Sequence, residues 1–191
     1  MLPHPDLIEL SRKFRGDLYT DAVSIAAYAT DASAYREKPL AVACPKDADD
    51  IRLLIDYARR HNVGLIPRAG GTSLAGQVVG NGIVADVSKY MTRILELNIE
   101  EGWVMVEPGV ILDELNRYLQ PYGIFFAPET STSNRCTIGG MVGNNSCGSH
   151  SLVYGSTRDH TLLVKALLSD GSEVEFSELT FEEFNEKTTG I

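Results

Sequence analysis

Two glycine-rich clusters contain the residues of this sequence whose types and spacing could do chemistry. The first reads RAGGTSLAGQ at residues 68–77 and directly follows a run of strand-forming residues. Its glycines permit positive φ and close backbone approach, so several N–H groups can converge on one anion. The cluster therefore predicts a nest that fits a diphosphate, to which Arg68 could add charge. A plain tight turn, with Arg68 as a surface residue, is the alternative.

The second cluster covers residues 128–148, where hydroxyl, amide and glycine residues interleave. They offer many neutral hydrogen-bond partners, which suits a large polar cofactor with a sugar alcohol chain better than a metal or a catalytic triad. A long polar loop is the alternative. Loops beyond about 12 to 15 residues are usually functional or disordered. Because Ile138, Met141 and Val142 argue against disorder, the cofactor interpretation is favoured.

The cysteines do not predict a disulfide framework or a structural metal site. Cys44, Cys136 and Cys147 are odd in number, and they form neither a CxxC pair nor a zinc spacing with the four histidines.

A βαβ-like unit positions the first cluster. Residues 40–44 form a short buried strand, residues 47–62 a capped helix, and residues 63–67 a second strand that ends at the cluster. Such a unit implies neighbouring parallel strands with the glycine loop at a carboxyl end, where ligands usually bind. A Rossmann site would need GxGxxG opening a helix, and GGTSLAG followed by strands does not fit that pattern.

The remaining elements are predicted from apolar spacing and turn residues. They are a helical arm over residues 5–28 broken at Gly16, a meander of three strands at 82–87, 94–97 and 103–107, a helix at 111–119, a helix-to-strand transition at 121–128, and a hairpin around the turn at 169–172. The end, residues 181–191, is polar and contains no predicted closing element.

Composition excludes several classes of protein. The 191 residues include 17 basic and 26 acidic side chains, a net charge of −9, and 43% are hydrophobic. This is an ordinary globular composition without a basic surface for nucleic acid or an anionic membrane. No run resembles a signal peptide or approaches the roughly 18 apolar residues of a membrane span. We therefore expect a cytoplasmic protein with no transmembrane segment.

Six motifs in order resemble the FAD-binding domain of the vanillyl-alcohol oxidase type (PCMH type). They are PRAGGTSLAGQ at 67–77, VEPGV at 106–110, PETSTS at 128–133, TIGG at 137–140, NNSCG at 144–148 and YGSTRD at 154–159. Within that family the sequence is most similar to D-lactate, glycolate and D-2-hydroxyglutarate dehydrogenases. The long bacterial forms, in which a substrate domain and an iron-sulfur domain follow, are the most similar group.

The resemblance implies an α+β fold in two lobes. A small parallel sheet lobe would cover residues 39–87, a mixed sheet lobe would cover about 94–176, and the glycine loop would lie in the cleft between them. The predicted organisation is an N-terminal helical arm at 1–36, an incomplete FAD-binding domain at 37–176 and the start of a following segment at 177–191. The Glu-Gly-Thr-Leu-Gly motif that closes the family's domain is not found, so the domain is predicted to be truncated at its C-terminus.

The resemblance also assigns the cofactor contacts. The pyrophosphate loop maps to Arg68, Ala69, Gly70, Gly71, Thr72 and Ser73, completed by Gly76 and Gln77. The remaining flavin contacts map to Pro128, Ser131, Thr137, Gly139, Gly140, Asn144, Asn145, Ser146, Cys147 and Gly148. Relatives that attach FAD covalently have a histidine where this sequence has Thr72, so noncovalent binding is predicted. Cys147 is expected to be a small residue of the cradle without a redox role.

The implied function is the FAD-binding part of a flavin-dependent dehydrogenase that oxidises a D-2-hydroxy acid: lactate, glycolate or 2-hydroxyglutarate. Electrons would pass to an iron-sulfur cluster in the absent C-terminal part or to another acceptor. No catalytic residue or metal ligand is assigned, since the family's ligands lie in the substrate domain; a metal pair of His150 and His160 is disfavoured. A sugar or alditol oxidase, disfavoured by Thr72, and a noncatalytic nucleotide-binding module are the alternatives. Residues 1–191 alone are expected to bind FAD weakly or not at all and to be inactive.

Overall fold

A computed structural model describes residues 5–189 of the chain. Within that range the helices are α1 (Pro5–Lys13), α2 (Ala22–Ala27), α3 (Ala48–His61), α4 (Leu112–Leu119), α5 (Ile138–Asn144), α6 (Ser151–Tyr154) and α7 (Phe181–Thr188). The strands are β1 (Asp17–Tyr19), β2 (Ala41–Cys44), β3 (Leu65–Arg68), β4 (Ile83–Asp86), β5 (Ile94–Asn98), β6 (Trp103–Val106), β7 (Leu163–Leu167) and β8 (Glu173–Ser177). Short 3₁₀ helices occupy Gln120–Tyr122 and Thr157–His160.

The first lobe is a four-stranded sheet in the order β1-β2-β4-β3. Strands β2 and β3 both run parallel to β4, and β1 pairs antiparallel with β2. Helices α1 and α3 cover the sheet, with Leu7, Leu10, Phe14 and Leu54 in a shared core. The predicted β2–α3–β3 unit is confirmed, and the glycine loop follows the carboxyl end of β3.

The predicted meander is wrong at its first strand, which is β4. All four residues of Ile83–Asp86 are buried, and the strand lies between β2 and β3. A short strand buried on both faces belongs in the middle of a covered parallel sheet and not at a meander's edge. Of the three predicted meander strands, only β5 and β6 pair with each other as a hairpin.

The predicted helical arm is interrupted by a strand. Helix α1 ends at Lys13, and Gly16 then lets the chain approach the neighbouring strand, because a Cβ there would overlap the carbonyl oxygen of Cys44. The chain then pairs with β2 from Asp17 to Tyr19. The buried carboxylate of Asp50 accepts the backbone N–H groups of Arg15 and Gly16 at 3.0 Å each, which fixes this entry into the sheet.

Helix α3 begins and ends as predicted. The side chain of Asp47 caps its start by accepting the N–H groups of Asp49 and Asp50, and Asn62 ends it in the left-handed conformation with φ 52°. Acidic residues in the first turn and basic residues in the last complement the helix dipole. Arg52 of this helix pairs with Glu173 at 2.6 Å, so α3 also contacts the β7–β8 hairpin of the second lobe.

The second lobe contains two antiparallel hairpins, β5–β6 and β7–β8. Val110, Leu115 and Leu119 form its main core, with apolar residues of β5 and β6 packed against them. The two-lobed α+β architecture is confirmed. In the described part of the chain, however, the predicted mixed sheet consists of two separate two-stranded sheets.

Two further predictions for the second lobe are wrong. No strand forms at residues 121–128, where the chain leaves the 3₁₀ helix through Gly123 at φ 72° and continues without a strand partner. The polar end does contain an element, α7, whose start is stabilised by a capping box between Thr180 and Glu183.

Candidate functional site

A cleft of about 310 Å³ lies between the two lobes. Arg68 and Asp86, at the carboxyl ends of β3 and β4, line one side, and Gly109, Arg135 and Thr137 of the second lobe line the other. The first glycine cluster is therefore in the predicted cleft. It forms an irregular loop and does not open a helix, as expected for a site that is not of the Rossmann type.

The first cluster presents a row of backbone donors. Gly71 and Gly76 adopt positive φ angles of 61° and 71°. Among the described residues, none accepts a hydrogen bond from the backbone N–H groups of 70–73. Consecutive N–H groups without internal partners are what a bound diphosphate requires.

The two glycine clusters are in direct contact. A Cβ atom on Gly70 would lie 2.5 Å from the carbonyl oxygen of Arg135, and one on Gly140 would lie 3.4 Å from the Cβ of Ala69. The side-chain amide of Gln77 also donates to Oδ1 of Asn144 at 3.1 Å. The structure thus brings together residues that are about 70 positions apart in sequence.

Much of the second cluster is held by its own hydrogen bonds. The buried Thr137 caps α5 by accepting the N–H of Gly140 at 3.4 Å. At the other end of α5, Asn145 accepts the N–H of Arg158 at 2.9 Å, and the carbonyl of Ser146 accepts the hydroxyl of Thr157 at 2.7 Å. These bonds fix the backbone of the cluster.

The end of the second cluster is held by Glu129. A Cβ on Gly148 would lie 2.6 Å from the carbonyl oxygen of Glu129. The Glu129 carboxylate accepts the hydroxyl of Ser149 and pairs with Nδ1 of His150, both at 2.8 Å. These two contacts, with the hydroxyl of Ser149 as the larger cause, lower the pKa of Glu129.

Three other predicted contact residues differ in accessibility. Pro128 is buried, whereas Ser131 and Cys147 are exposed. The two histidines have protein partners: His150 pairs with Glu129, and Nε2 of His160 lies 2.6 Å from the carbonyl oxygen of Tyr154. Over residues 5–189, no group of three or more candidate ligands could hold a metal ion.

The sequence did not single out Asp86 or Tyr28, which line the same cleft. Asp86 is 6% exposed and accepts the hydroxyl of Tyr28 at 2.5 Å. Burial and this contact raise the pKa of Tyr28. One feature of the sequence could have indicated Asp86: it is an acidic residue at the end of the apolar run of β4. No such feature indicates Tyr28.

Arg68 does not extend freely into the cleft. Its guanidinium lies 5.0 Å from the centre of the Tyr28 ring and donates to the carbonyl oxygen of Thr30 at 2.8 Å. A Cβ on Gly71 would lie 2.6 Å from the Arg68 guanidinium. The positive charge of Arg68 is thus held against the glycine loop.

The residues present fit a cofactor that combines a diphosphate with a hydroxyl-bearing chain. The loop at 70–73 offers anion donors, and the second cluster places amide and hydroxyl groups beside it. In addition, Oδ2 of Asp31 is buried without a partner among the described residues, next to Ala32, whose N–H donates to the carbonyl of Gly71. A buried acceptor of this kind would be satisfied by a ligand hydroxyl.

The protein-family model described as "FAD binding domain" matches residues 39–177. D-2-hydroxyglutarate dehydrogenase of Escherichia coli (strain K12) is 45% identical over 172 residues, which are 88% of this chain and 17% of that protein. Glycolate oxidase subunit GlcD of Bacillus subtilis (strain 168) is 35% identical, with 75% of this chain and 31% of that protein covered. The chain thus spans about a sixth of the length of the D-2-hydroxyglutarate dehydrogenase.

Solved structures support the same fold. An alkyldihydroxyacetonephosphate synthase superimposes with a TM-score of 0.81 at 20% identity, over 95% of this chain and 38% of that one. A carbohydrate oxidase from Microdochium nivale gives 0.73 at 24% identity, over 88% and 36%. At these identities the likeness concerns the fold alone. Among the helices that the structure describes, none is long and apolar enough to cross a bilayer.

Proposed function

The chain belongs to the FAD binding domain family, and we propose that it is the FAD-binding part of a dehydrogenase that oxidises a D-2-hydroxy acid. The observation that carries the proposal is the contact between the two glycine clusters, which places the unpartnered N–H groups of 70–73 beside the polar residues of the second cluster. That arrangement suits FAD, which has both a diphosphate and a ribityl chain.

Among the three acids considered, we favour D-2-hydroxyglutarate. Four D-2-hydroxyglutarate dehydrogenases are 44% or 45% identical to the chain, whereas the glycolate oxidase subunits and a mitochondrial D-lactate dehydrogenase are 30% to 35% identical. A further D-2-hydroxyglutarate dehydrogenase is 30% identical.

The chain's own residues would bind and orient the cofactor. The N–H groups at 70–73 would hold its diphosphate, and the carboxamide of Asn144 lies where the second cluster meets the first loop. When bound, the flavin supplies the hydride acceptor for alcohol oxidation. We assign no catalytic base and no substrate-carboxylate contact to residues 5–189, and we place both in the remainder of a longer enzyme.

The proposal is tested with the natural protein that contains this chain. We expect it to be yellow, with an absorption band at about 450 nm that D-2-hydroxyglutarate bleaches under anaerobic conditions. D-lactate, glycolate and L-2-hydroxyglutarate are the matched controls. Acid precipitation should release all of the flavin, because Thr72 cannot form the covalent bond. A colourless protein would contradict the flavin assignment, and bleaching by D-lactate or glycolate alone would contradict the substrate.

A further inference from the structure

The segment at residues 28–35 packs against the first glycine loop. It lies outside the residues 39–177 that the family model matches. Four contacts connect the two segments. They are the Tyr28 ring with the Arg68 guanidinium, the Thr30 carbonyl oxygen with Nη1 of Arg68, the Ala32 N–H with the carbonyl oxygen of Gly71, and the Tyr35 ring beside Gly76. The glycine loop is therefore supported from the N-terminal side of the chain.

Tyr28 is the residue of this segment that connects it to the sheet. Its hydroxyl donates at 2.5 Å to Oδ2 of Asp86, while Oδ1 of the same carboxylate accepts the N–H and hydroxyl of Ser88 at 2.8 and 2.6 Å. Asp86 ends the central strand β4 and is 6% exposed. The carboxylate is thus a fixed point, and a charge-assisted bond from a tyrosine hydroxyl to it is strong and directional.

The same tyrosine fixes the position of Arg68. The guanidinium carbon lies 5.0 Å from the ring centre, within the range of a cation–π contact. One face of the guanidinium meets Tyr28, and the Gly71 backbone lies so close that a Cβ there would be 2.6 Å from Arg68. Movement of the Tyr28 ring would therefore move Arg68, which supports the glycine loop.

We propose that Tyr28 is a positioning residue of the cofactor site, which holds Arg68 under the glycine loop through its bond to Asp86. The inference rests on the proposed function, since the loop is taken to bind the diphosphate of FAD. It adds to the cofactor site a residue outside the range that the family model matches. It also makes Asp86 the acceptor that holds Tyr28 in place.

The first experiment needs no cofactor. Trypsin cleaves after arginine, and proteolysis of a folded protein reports how often a bond becomes accessible. In the full chain, Tyr28→Phe keeps the ring and loses the bond to Asp86, and Tyr28→Leu loses both contacts. We expect cleavage at Arg68–Ala69 to rise by about threefold to tenfold in Tyr28→Phe and by about tenfold to fiftyfold in Tyr28→Leu. Cleavage at Arg117–Tyr118 in α4 should not change.

The matched control is Tyr118→Phe, which removes the hydroxyl of an exposed tyrosine on α4. It should leave both cleavage rates at the wild-type values. If Tyr28→Phe and Tyr28→Leu raise cleavage equally at both bonds, Tyr28 has a general structural role and the proposal is wrong. It is also wrong if neither bond becomes more sensitive.

The second experiment separates this inference from the proposed function. Titration of the ¹⁵N-labelled chain with FAD is followed by NMR, which measures weak affinities. We expect Tyr28→Phe to raise the FAD dissociation constant by about threefold to tenfold, and Asp86→Asn to do the same. Wild-type affinity in both variants would overturn the positioning role while leaving the proposed function standing. If the wild-type chain does not respond to FAD, the colour of the natural protein decides the FAD assignment, and the trypsin result decides the role of Tyr28.

Discussion

A Cβ atom added to Gly70 would lie 2.5 Å from the carbonyl oxygen of Arg135. Gly70 belongs to the loop after β3, and Arg135 precedes α5, so this approach of two backbones is where the lobes meet around the cleft. The distance is too short for any side chain at position 70 unless one of the two segments moves. Glycine here is thus needed for the contact between the clusters, independently of any ligand.

Gly70→Ala should therefore push the loop at residue 70 away from the backbone of Arg135. We expect a loss of about 1–3 kcal/mol in the free energy of unfolding, the usual cost of inserting a group into a packed site, together with weaker FAD binding. Urea unfolding followed by fluorescence measures the first effect. Gly143→Ala in α5 is the control, since a Cβ there meets nothing within 4 Å. It should be neutral or stabilising by up to about 1 kcal/mol. Equal stability of the Gly70→Ala and wild-type chains would contradict this account.

Asp50→Asn tests the buried anchor of the N-terminal segment. Its carboxylate is 0% exposed and accepts the backbone N–H groups of Arg15, Gly16 and Lys46 at 2.9–3.0 Å. An amide group would turn an NH₂ toward these donors, so we expect a destabilisation of about 2–3 kcal/mol. The exposed Asp56→Asn on the same helix should change stability by less than about 0.5 kcal/mol. Similar values for the two variants would show that the buried bonds contribute little.

The cysteines provide a test of accessibility and of the cofactor site. Cys44 and Cys136 are buried and Cys147 is exposed, and burial raises the pKa of Cys44 to about 11. Because the thiolate is the reactive form, iodoacetamide should modify Cys147 first in the native chain, as peptide mass spectrometry would show. FAD should slow that reaction, since Cys147 is predicted to lie in the cradle. A rate at Cys147 that FAD leaves unchanged would argue against its place there.

Stability at acid pH should depend on Asp17. The Nζ of Lys89 and the hydroxyl of Tyr90 bond this carboxylate at 2.6 and 2.7 Å and lower its pKa to about 2. Because the folded pKa lies below the unfolded value, the stabilisation is present above about pH 4 and is lost as the pH falls toward 2. Asp17→Asn should thus be less stable than wild type at pH 7, with a difference that shrinks below pH 4. Urea unfolding at several pH values measures it, and a constant difference down to about pH 2 would refute the assignment.

Local patterns predicted the parts of the fold that local interactions determine. The Asp47 cap, the apolar face of α3 and the glycines after β3 were sufficient to predict the β2–α3–β3 unit and a glycine loop at its carboxyl end. Strand order was not predictable in this way. That β4 lies between β2 and β3 depends on pairing with both neighbours, and a four-residue apolar run does not specify its partners.

For the candidate site, too, the sequence predicted local features and did not predict contacts between distant residues. Glycine, hydroxyl and amide residues marked both clusters, and their contact in the cleft agrees with the cofactor interpretation. The roles of individual contact residues remain predictions. The bond between Tyr28 and Asp86 joins residues 58 positions apart, and neither residue belongs to a motif. Such a pair becomes visible only when the fold has brought it together.

The most direct test of the central claim is the NMR titration of the wild-type chain with FAD. The account predicts that amide resonances of both clusters shift together and with one affinity, while those of α3 do not shift. The resonances expected to move are those of Gly70, Gly71, Thr72, Ser73, Cys147 and Gly148. Shifts confined to residues outside the cleft, or shifts of only one of the two clusters, would contradict it.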